Sequence, residues 1–243
     1  MRDWNGKRYW LVGASEGLGR ALALKMSRAG AELILSARSG ERLEALAAEL
    51  PGRARVVTMD IADRESVKAA RAEVGEIDGM IFLAGVYWPL SAKAWDAEAV
   101  ETMFDVNLTG AARVLGEVVP GFVARDRGHI VLTGSLSGFR GLPGAIGYAA
   151  SKAGLYSLAE SLDGDLKDTG VEVQLVNPGF IKTRLTDKND FTMPFIMEPE
   201  AAADVFFEHM TAGGFARSFP TLFSLVFRLS AFLPHGLYRR LFF

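Results

Sequence analysis

The sequence predicts an α/β fold, a single doubly wound parallel sheet with helices on both faces, followed by an apolar helical C-terminal extension. Three observations predict it. Short β-branched and apolar runs alternate with longer helical patterns along most of the chain. Those runs are apolar at nearly every position, as strands are when both faces of a parallel sheet are covered. A glycine-rich turn joins the first run to the first helical pattern.

The elements follow in order. A first strand, Arg8–Val12, runs into Gly13-Ala14-Ser15-Glu16-Gly17-Leu18-Gly19 and a helix over Leu18–Ala29. Glycine suits that turn because the backbone must bend sharply and let a pyrophosphate approach its N–H groups. The helix N-terminus adds partial positive charge toward the phosphates. A second strand, Glu32–Ala37, ends at Arg38 with no carboxylate beside it. An acidic residue there would bind a free ribose 2′-hydroxyl, whereas arginine accommodates a 2′-phosphate. Arg38, with a hydroxyl bond from Ser36, therefore predicts NADP(H) in preference to NAD(H); Glu16 inside the turn is a counter-signal. A helix over Gly40–Leu50 places Leu43, Leu46, Ala47 and Leu50 on one face. Four further strands are expected at Arg55–Met59, Gly79–Leu83, His129–Thr133 and Val171–Val176.

Composition sets the limits. The chain has 243 residues, 49% hydrophobic and 23% charged, which excludes a disordered or fibrous protein. No linker, repeat or charge block divides it, so one domain over 1–243 is expected. A net charge of −2 gives no sign of a nucleic-acid partner. The absence of cysteine excludes disulfides, thiolate zinc sites and a thiol nucleophile, and the three histidines are too scattered for a metal site. The first residues lack the apolar core of a signal peptide, and no apolar stretch is long enough to span a bilayer. A cytoplasmic location is expected.

Tyr148 and Lys152 stand four apart in a helical pattern and so share a face. A phenol is a poor base at neutral pH, and a neighbouring ammonium would lower its pKa. Ser135, just after the fifth strand, could hold a substrate oxygen, and Asn107 lies within a long helical pattern. Gly134-Ser135-Leu136-Ser137-Gly138 also fits the nucleophile elbow of serine hydrolases, which needs a helix directly behind the serine. The glycine- and proline-rich run Gly138–Gly144 cannot propagate one, so a hydrolase is rejected.

Taken in order, these pieces resemble the short-chain dehydrogenase/reductase family. The resemblance runs from Lys7 to Thr183 and includes Asp60-Ile61, Ala84-Gly85 and Asn177-Pro178-Gly179-Phe180-Ile181-Lys182-Thr183. It implies a Rossmann-like NAD(P)-binding domain and an NADP(H)-dependent carbonyl reductase or alcohol dehydrogenase. By resemblance, Tyr148 is the acid/base, Lys152 binds the nicotinamide ribose, Ser135 bonds the carbonyl and Asn107 holds a water near Lys152. Asp60 and Ile61 would contact adenine, Ala84 and Gly85 would lie beside the cofactor, and Pro178, Gly179, Ile181 and Thr183 would flank the nicotinamide. Where the family carries asparagines before Ala84-Gly85, this chain has Phe82-Leu83, which puts cofactor affinity in question.

The resemblance makes 184–200 a substrate lid. Tyr87, Trp88, Phe139, Leu142, Phe180, Met193, Phe195, Ile196 and Met197 suit a moderately hydrophobic carbonyl or alcohol substrate. Arg140 and Arg184 read as solvated. The extension, 220–243, supports three readings: a wall of the chain's own pocket, a homodimer interface, or a membrane-surface contact. The rival to an enzyme is a catalytically quiet NADP-binding interaction protein.

Overall fold

The computed structural model describes residues 1–242. Seven parallel strands form one sheet in the order β3-β2-β1-β4-β5-β6-β7. They are β1 Arg8–Val12, β2 Glu32–Ser36, β3 Ala54–Val56, β4 Gly79–Phe82, β5 Gly128–Thr133, β6 Val171–Pro178 and β7 Ala216–Phe219. Five lie within two residues of the positions the sequence predicts, and β3, expected over Arg55–Met59, ends three residues early. The seventh was not foreseen, because Ala216-Arg217-Ser218-Phe219 is a short edge strand with only Phe219 buried.

Helices cover both faces. On one side α1 (Gly17–Arg28), α2 (Gly40–Glu49) and α7 (Pro199–Ala212) bury Leu22, Met26, Leu43, Leu46, Phe206 and Met210 against Tyr9, Leu11 and Leu33. On the other, α3 (Arg64–Val74), α5 (Gly110–Ala124) and α6 (Ile146–Leu166) pack Val67, Val114, Val118, Leu155 and Ala159 against Trp10, Val12 and Phe82. Successive strand residues serve opposite cores, which is why each strand is apolar throughout. α4 (Ala97–Phe104) runs into α5 through a π turn at Asp105–Thr109.

The chain crosses over between β3 and β4, so β1 and β4 become neighbours and their ends diverge. The crevice outside the carboxyl ends of strands at such a switch point is where α/β sheets bind ligands. Beyond β7, α8 (Thr221–Ser230) and α9 (His235–Phe242) form the helical extension, separated near Pro234.

Candidate active site

One cavity of about 1060 Å³ runs across the carboxyl ends of the strands, from Arg38 and Arg42 at one end to Phe223 and Phe227 at the other. Its floor at the first crossover is the glycine turn. Gly13 has φ of +95°, and a Cβ there would stand 2.5 Å from the Ala84 backbone nitrogen, so only glycine lets the turn meet the end of β4. Ser39, Asp63 and Asp96 cap α2, α3 and α4 with their side chains, but Glu16 at the start of α1 makes no such cap. The first N–H groups of α1 are left for an anion, and Gly17, Leu18 and Gly19 line the cavity there. The cradle thus fits a dinucleotide pyrophosphate.

The sequence-predicted residues Gly13, Ser15, Glu16, Gly17, Leu18, Gly19, Arg38, Asp60, Ile61, Ala84, Gly85, Pro178, Gly179, Ile181 and Thr183 all border this one cavity. Ser36 also borders it, but its hydroxyl is turned inward, which corrects the expected role. Ser36 Oγ donates to the Val57 carbonyl at 2.6 Å and accepts from Trp10 Nε1 at 2.8 Å, locking β2 to its neighbours on both sides. Arg38 is exposed at the cavity wall. Glu16 is paired with Arg42 at 3.3 Å and with Arg184, so two guanidinium groups offset the carboxylate in the turn. Arg184 is therefore not simply solvated. Arg42 escaped sequence reasoning, although its place in the first turn of α2, directly after Arg38 and the cap Ser39, was the available signal.

Ser135, Tyr148 and Lys152 meet at the end of β5. The first turn of α6 presents Tyr148 to the cavity, and one turn later Lys152 is almost wholly buried, its Nζ donating to the Thr133 carbonyl at 2.8 Å. Behind Ser135 lies only a single 3₁₀ turn, Leu136–Gly138, in which Ser135 Oγ accepts from the Ser137 backbone N–H at 3.2 Å and hydroxyl at 2.9 Å. Thr133 Oγ1, also on the cavity, is buried without a partner.

The electrostatics differ from expectation. Burial pushes the Tyr148 phenol up to about 12, while a hydrogen bond from Ser135 pulls the other way. Burial lowers the Lys152 amine to about 8, so at neutral pH it is still an ammonium. The expected lowering of the phenol by Lys152 is absent because Nζ is drawn to Thr133 and lies 5.7 Å from the Tyr148 ring centre. Desolvation dominates instead, and the phenol holds its proton.

Asn107 is not on the cavity wall. It is fully buried in the π turn, its Oδ1 accepting from Val86 N–H at 2.8 Å and its Nδ2 donating to the Val86 carbonyl at 3.0 Å and to Ser151 Oγ at 3.1 Å. Its side chain is spent on bracing the segment after β4 against α6, so it positions the site rather than touching it. This also answers the lost asparagines: the segment following Phe82-Leu83 is held from α5's side.

On the apolar side, Tyr87, Leu142 and Phe180 line the cavity, with Phe191, Phe223 and Phe227. Tyr87 packs edge-on against Tyr148 with ring centres 5.0 Å apart and donates to Asn189 Oδ1 at 2.9 Å, tying the end of β4 to the segment 184–200. Trp88, Phe139, Met193, Phe195, Ile196 and Met197 are not on the wall. Lys188 lies over Trp88, Phe139 packs on Tyr156, and Met197 joins the α1–α7 core. Arg140 is pinned rather than solvated, donating to the carbonyls of Ser230 and Leu233. Phe223 and Phe227 belong to the extension that one of the three readings made a pocket wall, and their four-residue spacing places them on one face of α8. Among the described residues no cluster could hold a metal ion.

Comparison with known proteins agrees with this geometry. The short chain dehydrogenase family profile matches residues 7–193. An uncharacterized oxidoreductase of Myxococcus xanthus is 40% identical over 245 residues, covering 98% of this chain and 97% of its own. The 3-oxoacyl-[acyl-carrier-protein] reductase FabG of Rickettsia conorii is 30% identical, covering 77% and 78%. A solved short-chain dehydrogenase from Sphingobium yanoikuyae, in complex with NADPH, has a TM-score of 0.82 at 26% identity, covering 95% and 97%. With a glycine cradle and a serine–tyrosine–lysine cluster in one cavity, the chain belongs to the short chain dehydrogenase family of oxidoreductases.

Proposed function

We propose that the protein interconverts a moderately hydrophobic carbonyl compound and its alcohol with NADP(H), Tyr148 serving as acid/base. The observation that carries the reading is the meeting of Ser135, Tyr148 and Lys152 at the rim of the glycine cradle, inside a cavity whose far end is aromatic. A bound nicotinamide would give or take the hydride. Ser135 would hold the carbonyl oxygen. Tyr148, protonated up to about pH 12, would hand that oxygen its proton in reduction. The Lys152 ammonium, fixed on Thr133, would hold the cofactor ribose.

Arg38 supports NADP(H), since an exposed guanidinium on the wall can pair with a 2′-phosphate. Arg42 lies beside the same end and would share that load once drawn from Glu16. Of the relatives named, one is an NADPH complex, in keeping with NADP(H), and one is a 3-oxoacyl-[acyl-carrier-protein] reductase, in keeping with reduction of a carbonyl.

The test is NADPH consumption, followed by absorbance, over a panel of apolar aldehydes and ketones. Tyr148→Phe should reduce turnover by about a thousandfold while NADPH still binds in a fluorescence titration. Undiminished turnover in that variant would remove Tyr148 from the chemistry. Tight NADPH binding with no turnover across the panel would instead favour the quiet interaction protein.

A further inference from the structure

Helix α8 is built inside out. Its buried residues are Ser224 and Ser230, whose hydroxyls return to carbonyls of their own helix at Thr221 and Phe227. Leu222, Leu225, Val226 and Leu229 recur at the spacing of one face and are exposed, Leu222 by 76% and Leu229 by 61%. Phe232 beyond it is 85% exposed, and Leu237 and Leu241 are exposed on α9. A surface helix in water carries the reverse arrangement. Scattered exposed leucines need no explanation, but a stripe marks an interaction surface.

The opposite side of the same helix walls the active-site cavity. Phe223 packs on Phe180 within it, ring centres 6.0 Å apart, and on Phe195 of the lid at 5.4 Å. Phe195 is itself 62% exposed, so an aromatic path joins the outer surface to the cavity. The extension is also tied to the loop after Ser135. Arg140 donates to Leu233 O at 2.9 Å and stacks 3.9 Å from the Tyr238 ring centre, and Tyr238 donates to Gly141 O at 2.7 Å.

Charge chooses the occupant. From His209 onward the sequence has no Asp or Glu and four arginines, at 217, 228, 239 and 240. Arg228, Arg239 and Arg240 are exposed and form no ion pair among the described residues. A second copy of the chain would bring like charges to a self-complementary interface, which opposes association. An anionic lipid surface matches both features, headgroups facing the arginines and acyl chains the leucines. At ten and eight residues the two helices are too short to cross a bilayer, and no described helix is long and apolar enough to do so.

We infer that α8 and α9 seat the protein on an anionic membrane surface, and that apolar substrate reaches the cavity from the lipid past Phe195 and Phe223. The delivery step rests on the function proposed above; the seating does not.

The experiment is co-sedimentation of the full chain with vesicles of phosphatidylcholine alone or mixed with phosphatidylglycerol. Binding to the anionic vesicles is expected to be at least about tenfold tighter and to weaken with salt. Arg239→Glu with Arg240→Glu should lose most of that preference, at about fivefold for each arginine. Leu222→Glu with Leu229→Glu should abolish binding to both vesicle types, with NADPH affinity and melting temperature retained. Wild-type protein left in the supernatant with both vesicle types at low salt overturns the inference. So does a solution dimer, seen by light scattering, that the leucine variant dissolves, because that assigns the face to a second copy. Vesicle binding without turnover of any carbonyl would uphold the seating and sink the proposed reaction. Turnover without vesicle binding would do the opposite.

Discussion

Toward the start of the strands, Tyr9, His129 and Gln174 make a closed polar chain, while at their far ends Thr133, Ser135, Tyr148 and Lys152 make an open one. In the closed chain, Gln174 Nε2 donates to the His209 and Gly214 carbonyls, so its Oε1 must accept from His129 Nε2 at 2.8 Å. That leaves His129 Nδ1 to accept the Tyr9 hydroxyl at 2.9 Å. Gly79 makes this reach possible, since a Cβ there would collide with the Tyr9 ring as it crosses β4. Each member's partner is internal, and burial holds His129 neutral, its pKa lowered to about 3. His209 is the one blemish, with a buried Nε2 lacking a partner. In the open cluster, the Thr133 hydroxyl is orphaned and the phenol and ammonium face a cavity. Polar groups that satisfy one another hold the sheet together; those left unsatisfied are where a ligand completes the bonding.

Four substitutions sharpen this contrast. Tyr148→Phe, expected to lower turnover about a thousandfold, should barely move the melting temperature, because the open cluster contributes little to folding. His129→Leu should do the reverse, removing about 3 kcal/mol of stability in a urea titration with kcat/KM unchanged, since it strands Tyr9 and Gln174 in the core. The pH dependence follows from the same residue. The unfolded chain takes up the His129 proton below about 6.5, the folded chain only near 3, so stability falls as pH drops through that window. In His129→Leu this part of the acid slope should vanish.

Smaller effects separate wall from scaffold at the nucleotide end. Arg38→Asp should lower the NADPH-to-NADH ratio of kcat/KM by about a hundredfold. An unchanged ratio would leave the discrimination to Arg42. Ser36→Ala should leave that ratio alone and remove about 1 to 2 kcal/mol of stability, because the Val57 carbonyl and Trp10 Nε1 would be left unpaired.

What the sequence by itself determined is the local and the periodic. Both ends of β1, the glycine turn, the alternation of strand and helix and the i, i+4 relation of Tyr148 to Lys152 depend on neighbours a few residues away. Such signals survive reading in one dimension. β7 was invisible because only Phe219 of its four residues is buried, and β3 ends at Val56 although the Val57 and Met59 N–H groups still donate to the Leu35 and Ala37 carbonyls. Only the tertiary structure decided where side chains with two possible uses were spent. Ser36 turned to Val57 and Trp10, Asn107 to Val86 and Ser151, Arg140 to the extension, and Lys152 to Thr133. Each partner lies 19 or more residues away along the chain. A hydrogen bond chooses its partner by distance and direction in the folded state, and burial then sets the pKa, so neither can be read from spacing along the chain.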